Sequence, residues 1–117
     1  MPRATNNPAA KQRRKRILNR TKGFFGAKKV QIREGRHAAE RAMAYAYRDR
    51  RARKRDFRRL WIVRINAAAR LNGLSYSTFM GGLKRASIDI DRKVLADLAV
   101  HDAQGFARLA EVARNAE

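Results

Sequence analysis

The sequence contains no cysteine, only 2 prolines and 7 glycines, and 10 acidic residues against 29 lysines and arginines. Without cysteine there are no disulfides, no thiolate catalysis and no zinc knuckle of the usual kind. Sparse glycine and proline exclude a collagen-like or low-complexity chain. No apolar run approaches the roughly 20 residues that a membrane-spanning helix needs. No apolar stretch follows the basic residues near the start, so a secretory signal is not expected. A mitochondrial-type transit peptide would also be basic and acid-poor, so these features exclude it less firmly. The shortage of acid is uneven. Residues 1–59 carry 21 Lys+Arg and 4 Asp+Glu, a net of 21 − 4 = +17, while residues 60–117 carry 8 and 6, a net of +2. A half so charged repels itself and needs a polyanion to condense on.

What is present explains where the charge lies. Residues 48–59 read RDRRARKRDFRR, with 8 basic residues in 12 positions, and run directly into the apolar LWIVRINAAA. A second cluster, KQRRKR, occupies residues 11–16. Arginine dominates, and its planar fork grips phosphate oxygens and stacks on bases as an ammonium does not. A single short cluster is usually a solvated face. Clusters over half the chain with few acids between them point to nucleic acid, through phosphate neutralisation and counterion release. On a helix, Arg50, Lys54 and Arg58 share one side and Arg51, Arg55 and Arg59 lie beside them. Arg48 and Arg53 are expected elsewhere. Charge on several faces suggests a helix enclosed by nucleic acid.

Residues 1–9 carry both prolines and no apolar pattern, and read as an extended tail. Residues 10–20 read as a short basic helix, and TKGFFG at 21–26 as a bend. From Ala27 to Asn72 there is no proline and one glycine, Gly35. That predicts a helix of about 45 residues, about 68 Å long. Its apolar stripe of Ala39, Ala42, Met43, Ala46 and Tyr47 is too thin for a core. The arm is therefore expected to be partly disordered when free and ordered by its partner.

The other half has stronger signals. Leu60 to Leu71 is apolar on nearly every side. Gly73 suits a left-handed helix stop, and Ser75 can cap the next helix. Tyr76, Phe79, Met80 and Leu83 form one face. Asp89 or Asp91 can cap a third helix with a buried stripe of Val94, Leu95, Leu98 and Ala99. Asp102 can cap a fourth with Phe106, Leu109, Ala110 and Ala113. The expected fold is all-α: a long basic N-terminal helical arm, residues 1–59, followed by a small helical domain, residues 60–117. About 58 residues fold alone only marginally.

Aromatic rings interleave the basic half: Phe24, Phe25, Tyr45, Tyr47 and Phe57. RNA-binding proteins stack such rings on splayed bases. Phe57, beside the core helix, is expected to pack locally. Phe24 and Phe25, between glycines and far from a core, are expected to contact RNA. Residues 67–86 also resemble a helix-turn-helix, in which Tyr76, Thr78 or Lys84 would enter a DNA groove. That second helix has little else that reads a base edge. His37, near Glu34 and Glu40, and His101, near Asp97, read as surface pairs. Asp89 and Asp91 read as caps. No catalytic residue, metal ligand or cofactor site is expected. A membrane-surface helix is disfavoured because the arm lacks a strong apolar face.

The stretch AYAYRDRRARKRDFRRLWIVRINAAARLNGLSYSTFMGGLKRASIDIDRKVLADLAVHD at 44–102 resembles the bacterial large-subunit ribosomal protein numbered twenty. KGFFGA at 22–27 is similar to that family's KG-aromatic-aromatic-GA turn. The likeness covers essentially the whole chain and is looser over the first dozen residues. It implies a non-enzymatic constituent of the large subunit, in cytoplasmic ribosomes, that binds large-subunit rRNA early in assembly. It also implies neighbours among the ribosomal proteins numbered twenty-one and thirteen. For some members it implies repression of their own messenger RNA through the C-terminal domain. The residues expected to hold RNA are Arg13, Arg14, Lys15, Arg16, Lys22, Phe24, Phe25, Arg48, Arg50, Arg51, Arg53, Lys54, Arg55, Arg58 and Arg59. The reading from another class is a helix-turn-helix DNA-binding regulator with a basic tail.

Overall fold

Arg3 and residues 7–116 are described in the computed structural model; the rest of the tail expected at 1–9 lies outside the described residues. Among the described residues the chain is all-α, as expected, with no strand. The helices are α1 (Pro8–Arg20), α2 (Ile32–Leu71), α3 (Tyr76–Arg85), α4 (Arg92–His101) and α5 (Ala103–Asn115), with a 3-10 turn at Gly26–Lys29. The chain divides into two compact units, residues 1–51 and 52–117.

In the first unit, α1 begins two residues before the expected position. Pro8 stands in the opening turn, where its missing N–H needs no partner and its fixed φ suits the helix. Thr21 ends α1 fully buried, and its hydroxyl donates to the Leu18 carbonyl at 3.2 Å. The bend expected at 21–26 is present. Gly23 and Gly26 have φ of 83° and 71°, a region closed to most side chains.

The long helix starts at Ile32, five residues later than expected, because the chain turns over Gly35. A Cβ on Gly35 would lie 2.8 Å from the Lys28 carbonyl oxygen and 3.1 Å from Leu18 Cδ2. Gly35 is a close-approach site. Ala39, one turn on, is buried as well. Of the expected stripe only Ala39 is buried. Ala42 is half-buried, and Met43, Ala46 and Tyr47 are exposed.

The second unit holds the main core. Ile65, Ala68 and Ala69 of α2 meet Phe79 and Leu83 of α3, Leu95 and Ala96 of α4, and Phe106, Ala110 and Ala113 of α5. Phe79 and Phe106 stack with ring centroids 4.9 Å apart. The end of α2 is not apolar-buried all round as expected: Leu60, Val63 and Leu71 are exposed, Leu71 at 90%. One face of a helix suffices when three short helices cover only that face.

The helix ends follow local rules. Gly73 has φ 77° and donates to the Arg70 carbonyl, while Leu74 donates to that of Ala69 at 2.9 Å. This is a Schellman stop. Ser75 caps α3 by accepting from Thr78 N at 3.1 Å, and Asp102 caps α5 by accepting from Gly105 N at 2.8 Å. Asp91 takes the N-cap position of α4 but makes no side-chain cap bond. The buried stripe of α4 is shifted from expectation. Leu95 and Ala96 are buried, Leu98 and Ala99 are half-buried, and Val94 is exposed.

Candidate nucleic-acid interface

All the arginines and lysines singled out from the sequence are exposed. On α1, Arg13, Arg14, Lys15 and Arg16 point to solvent, and Lys22 lies in the following turn. Helix formers without a breaker explain why this cluster is helical. Phe25 is 93% exposed at the tip of the turn, between the two left-handed glycines. Phe24 is half-buried beside it. The adjacent phenylalanines therefore occupy different environments. Phe25 is fully presented, and Phe24 lines a groove against α2.

The first unit ends with Arg48, Arg50 and Arg51, all on α2. Arg48 stands three residues before Arg51, so the two share a side, and the expectation that Arg48 points elsewhere is corrected. Asp49 accepts from Arg48 Nε at 2.8 Å. That bond, with the attraction of the carboxylate, raises the Arg48 pKa.

Two arginine–tyrosine contacts escaped the sequence reading. The Arg48 guanidinium lies 4.7 Å from the Tyr45 ring centroid, and that of Arg51 lies 3.7 Å from Tyr47. Both spacings, i to i+3 and i to i+4, are those at which helical side chains meet. The cation rests on the electron-rich ring face. Tyr45 and Tyr47 thus aim two guanidinium groups. The signal was visible as Y-A-Y-R-D-R-R.

In the second unit, Arg53, Lys54, Arg55, Arg58 and Arg59 follow on the same helix, all exposed. At 3.6 residues per turn, Lys54 and Arg58 share one side, Arg55 and Arg59 the next, and Arg53 lies apart from both. Nearby Phe57 is half exposed, with its ring centroid 6.3 Å from that of Trp61.

Other expectations resolve simply. His101 Nδ1 lies 3.0 Å from Asp97 Oδ1. Glu40 pairs with Arg36 at 3.0 Å. The groove that Phe24 lines also includes His37 and Glu34. Among the described residues no group of three or more His, Cys, Asp or Glu is placed to hold a metal. No described helix is long and apolar enough to cross a membrane. The helix-turn-helix candidate has few free readers. The Tyr76 hydroxyl accepts from Arg92 Nε at 3.1 Å, and the Thr78 hydroxyl sits 2.6 Å from that of Ser75. Of the three candidate groove readers, two side chains are committed within the unit.

Comparison with known proteins agrees in one direction. Residues 3–109 match the family described as Ribosomal protein L20. The chain is 56% identical over 114 residues to the large ribosomal subunit protein bL20 of Pelotomaculum thermopropionicum, covering 97% of each chain. It is 54% identical over 111 residues to the bL20 of Salinibacter ruber, covering 95% of this chain and 96% of that one. The chain, matched along nearly its whole length, belongs to the ribosomal protein L20 family, whose members are structural constituents of the large ribosomal subunit and not enzymes.

Proposed function

We propose that this protein binds large-subunit ribosomal RNA through residues 1–59 and acts in cytoplasmic ribosomes as an early assembly clamp. The arm neutralises phosphates where RNA helices crowd together and would otherwise repel. Residues 60–117 form the small domain that fixes where the arm enters. That domain also carries any repression of the protein's own messenger RNA. The neighbours are the ribosomal proteins numbered twenty-one and thirteen. The observation that carries the reading is the run at 48–59, whose basic side chains are all exposed. Phosphate contacts of this kind position a protein without reading sequence, and an arginine-rich helix with exposed rings suits folded RNA better than a DNA groove. The test is binding to structured large-subunit rRNA fragments and to duplex DNA at the same salt. Tighter binding to the rRNA fragments, weakening steeply with salt, is expected. Equal affinity at physiological salt, or tighter binding to one DNA sequence, overturns the reading.

A further inference from the structure

The first unit contains a groove of about 540 Å³ whose lining differs from the rest of the arm. Phe24 and Tyr45 contribute rings, Lys28 and Arg41 contribute cations, and Glu34 and His37 line it from the first turns of α2. Phosphate neutralisation does not call for such a set. A carboxylate repels phosphate, yet Glu34, one of only 4 acids in residues 1–59, lines this groove. Of the other three, Glu40 binds Arg36, Asp49 binds Arg48, and Asp56 is exposed within the basic run. The rings offer stacking faces. Arg48 covers one face of the Tyr45 ring at 4.7 Å, and Tyr45 also lines the groove.

The geometry points to a pocket for a single unpaired guanine, stacked on Phe24 and Tyr45 and read by Glu34, with Lys28 and Arg41 on its phosphates. The assignment rests on the RNA-binding reading above and deepens it. An ionised carboxylate only accepts hydrogen bonds, through two oxygens side by side. Guanine alone presents two adjacent donors on its Watson–Crick edge, the ring N–H and the exocyclic amine. Adenine and cytosine each set an acceptor beside their amine, and uracil flanks its single donor with two carbonyls. Each of those places an oxygen or nitrogen lone pair against Glu34. Recognition of splayed bases by ring stacking and edge hydrogen bonds is the usual way that proteins read RNA sequence.

The test uses the full chain and hairpin RNAs that are identical except for one bulged nucleotide, G, A, C, U or inosine, with an unbulged hairpin as reference. Affinities are measured by fluorescence anisotropy at one salt concentration. The bulged-guanine hairpin is expected to bind on the order of tenfold tighter than the other natural bulges, the size of a good two-bond base contact. Glu34→Gln is expected to erase that preference, bringing the guanine bulge level with the other natural bulges relative to the unbulged hairpin. Inosine, which lacks the exocyclic amine, is expected to lose most of the advantage with the unaltered protein, so the test survives a variant that folds poorly. Equal binding to the natural bulges overturns the pocket, as does a guanine preference that persists in Glu34→Gln. If the unbulged hairpin shows no salt-dependent binding, the RNA-binding reading itself falls, and the pocket with it.

Discussion

The neighbouring glycines of α3 sit in opposite surroundings. A methyl group on Gly82 would overlap the backbone of Ala113 on α5, whereas on Gly81 its nearest neighbour is an Arg85 side-chain nitrogen at 3.5 Å. Alanine is favoured over glycine in a helix by about 1 kcal/mol, and overpacking a core costs about 1–3 kcal/mol. Gly81→Ala should therefore stabilise by up to about 1 kcal/mol. Gly82→Ala should destabilise by about 1–3 kcal/mol, both read from urea unfolding. Equal effects would show that the α3–α5 contact is looser than the structure has it. The same logic separates two residues of α4. Leu95 is fully buried, so Leu95→Ala should cost about 2–5 kcal/mol. Val94, 49% exposed, should cost far less on the same change. From sequence both belonged to one stripe, because 94, 95, 98, 99 and 95, 96, 98, 99 are almost the same helical pattern. Ala96 gives too weak an apolar signal to break the tie. The choice is made by where α5 lies, which the spacing within α4 does not encode.

At the scale of elements, punctuation was legible where a residue acts through its own backbone. Gly73, Ser75 and Asp102 do what glycine, serine and aspartate do at helix ends anywhere. The start of α2 was not legible, because Gly35 acts by proximity to Lys28 and Leu18, neighbours known only once the chain has turned. The groove of Glu34, His37 and Tyr45 was hidden for the same reason. Ser87 shows the converse. It has φ 55° at the end of α3, where Ile88 donates to the Leu83 carbonyl at 2.9 Å and Ser87 to that of Lys84 at 3.1 Å. This is a Schellman stop with serine in the glycine place. The left-handed conformation costs a side-chain-bearing residue about 1–2 kcal/mol, and glycine's extra freedom in the unfolded chain offsets roughly half of that. Ser87→Gly should raise the unfolding midpoint, and a lowered midpoint would mean that the serine hydroxyl has its own role. In α2 itself the first half buries little beyond Gly35 and Ala39, and most helix stability comes from packing. In the free protein its amides before about Arg50 should exchange faster with deuterium than those from residue 60 onward, and cognate RNA should slow them. Uniform protection without RNA would indicate a pre-built rod.

At the scale of the whole molecule, charge and core are segregated along the chain, and that segregation makes the division of labour testable. Residues 1–47 carry 21 − 8 = 13 of the lysines and arginines, since 8 of those in residues 1–59 fall in 48–59. Every buried residue of the main core is Ile65 or later. Removing residues 1–47 should therefore leave a soluble helical fragment that unfolds cooperatively, followed by circular dichroism. The fragment keeps Arg48 to Arg59 and should still bind a large-subunit rRNA fragment, but with a shallower fall of log affinity against log salt. Each phosphate that is no longer neutralised should reduce that slope by about 0.7–0.9. In the intact chain, changing Arg50, Arg51, Arg55 and Arg58 together to alanine should flatten the slope by up to about four such steps. Binding should then weaken alike for unrelated structured RNAs, because phosphates carry no sequence. The two manipulations remove different cations, so the truncated chain carrying the same four changes should show the sum of their slope reductions. An unfolded fragment would mean that the second unit needs the first for its stability. A fragment with the slope of the intact protein would mean that residues 1–47 neutralise no phosphates, and the arm as an electrostatic clamp would have to be abandoned.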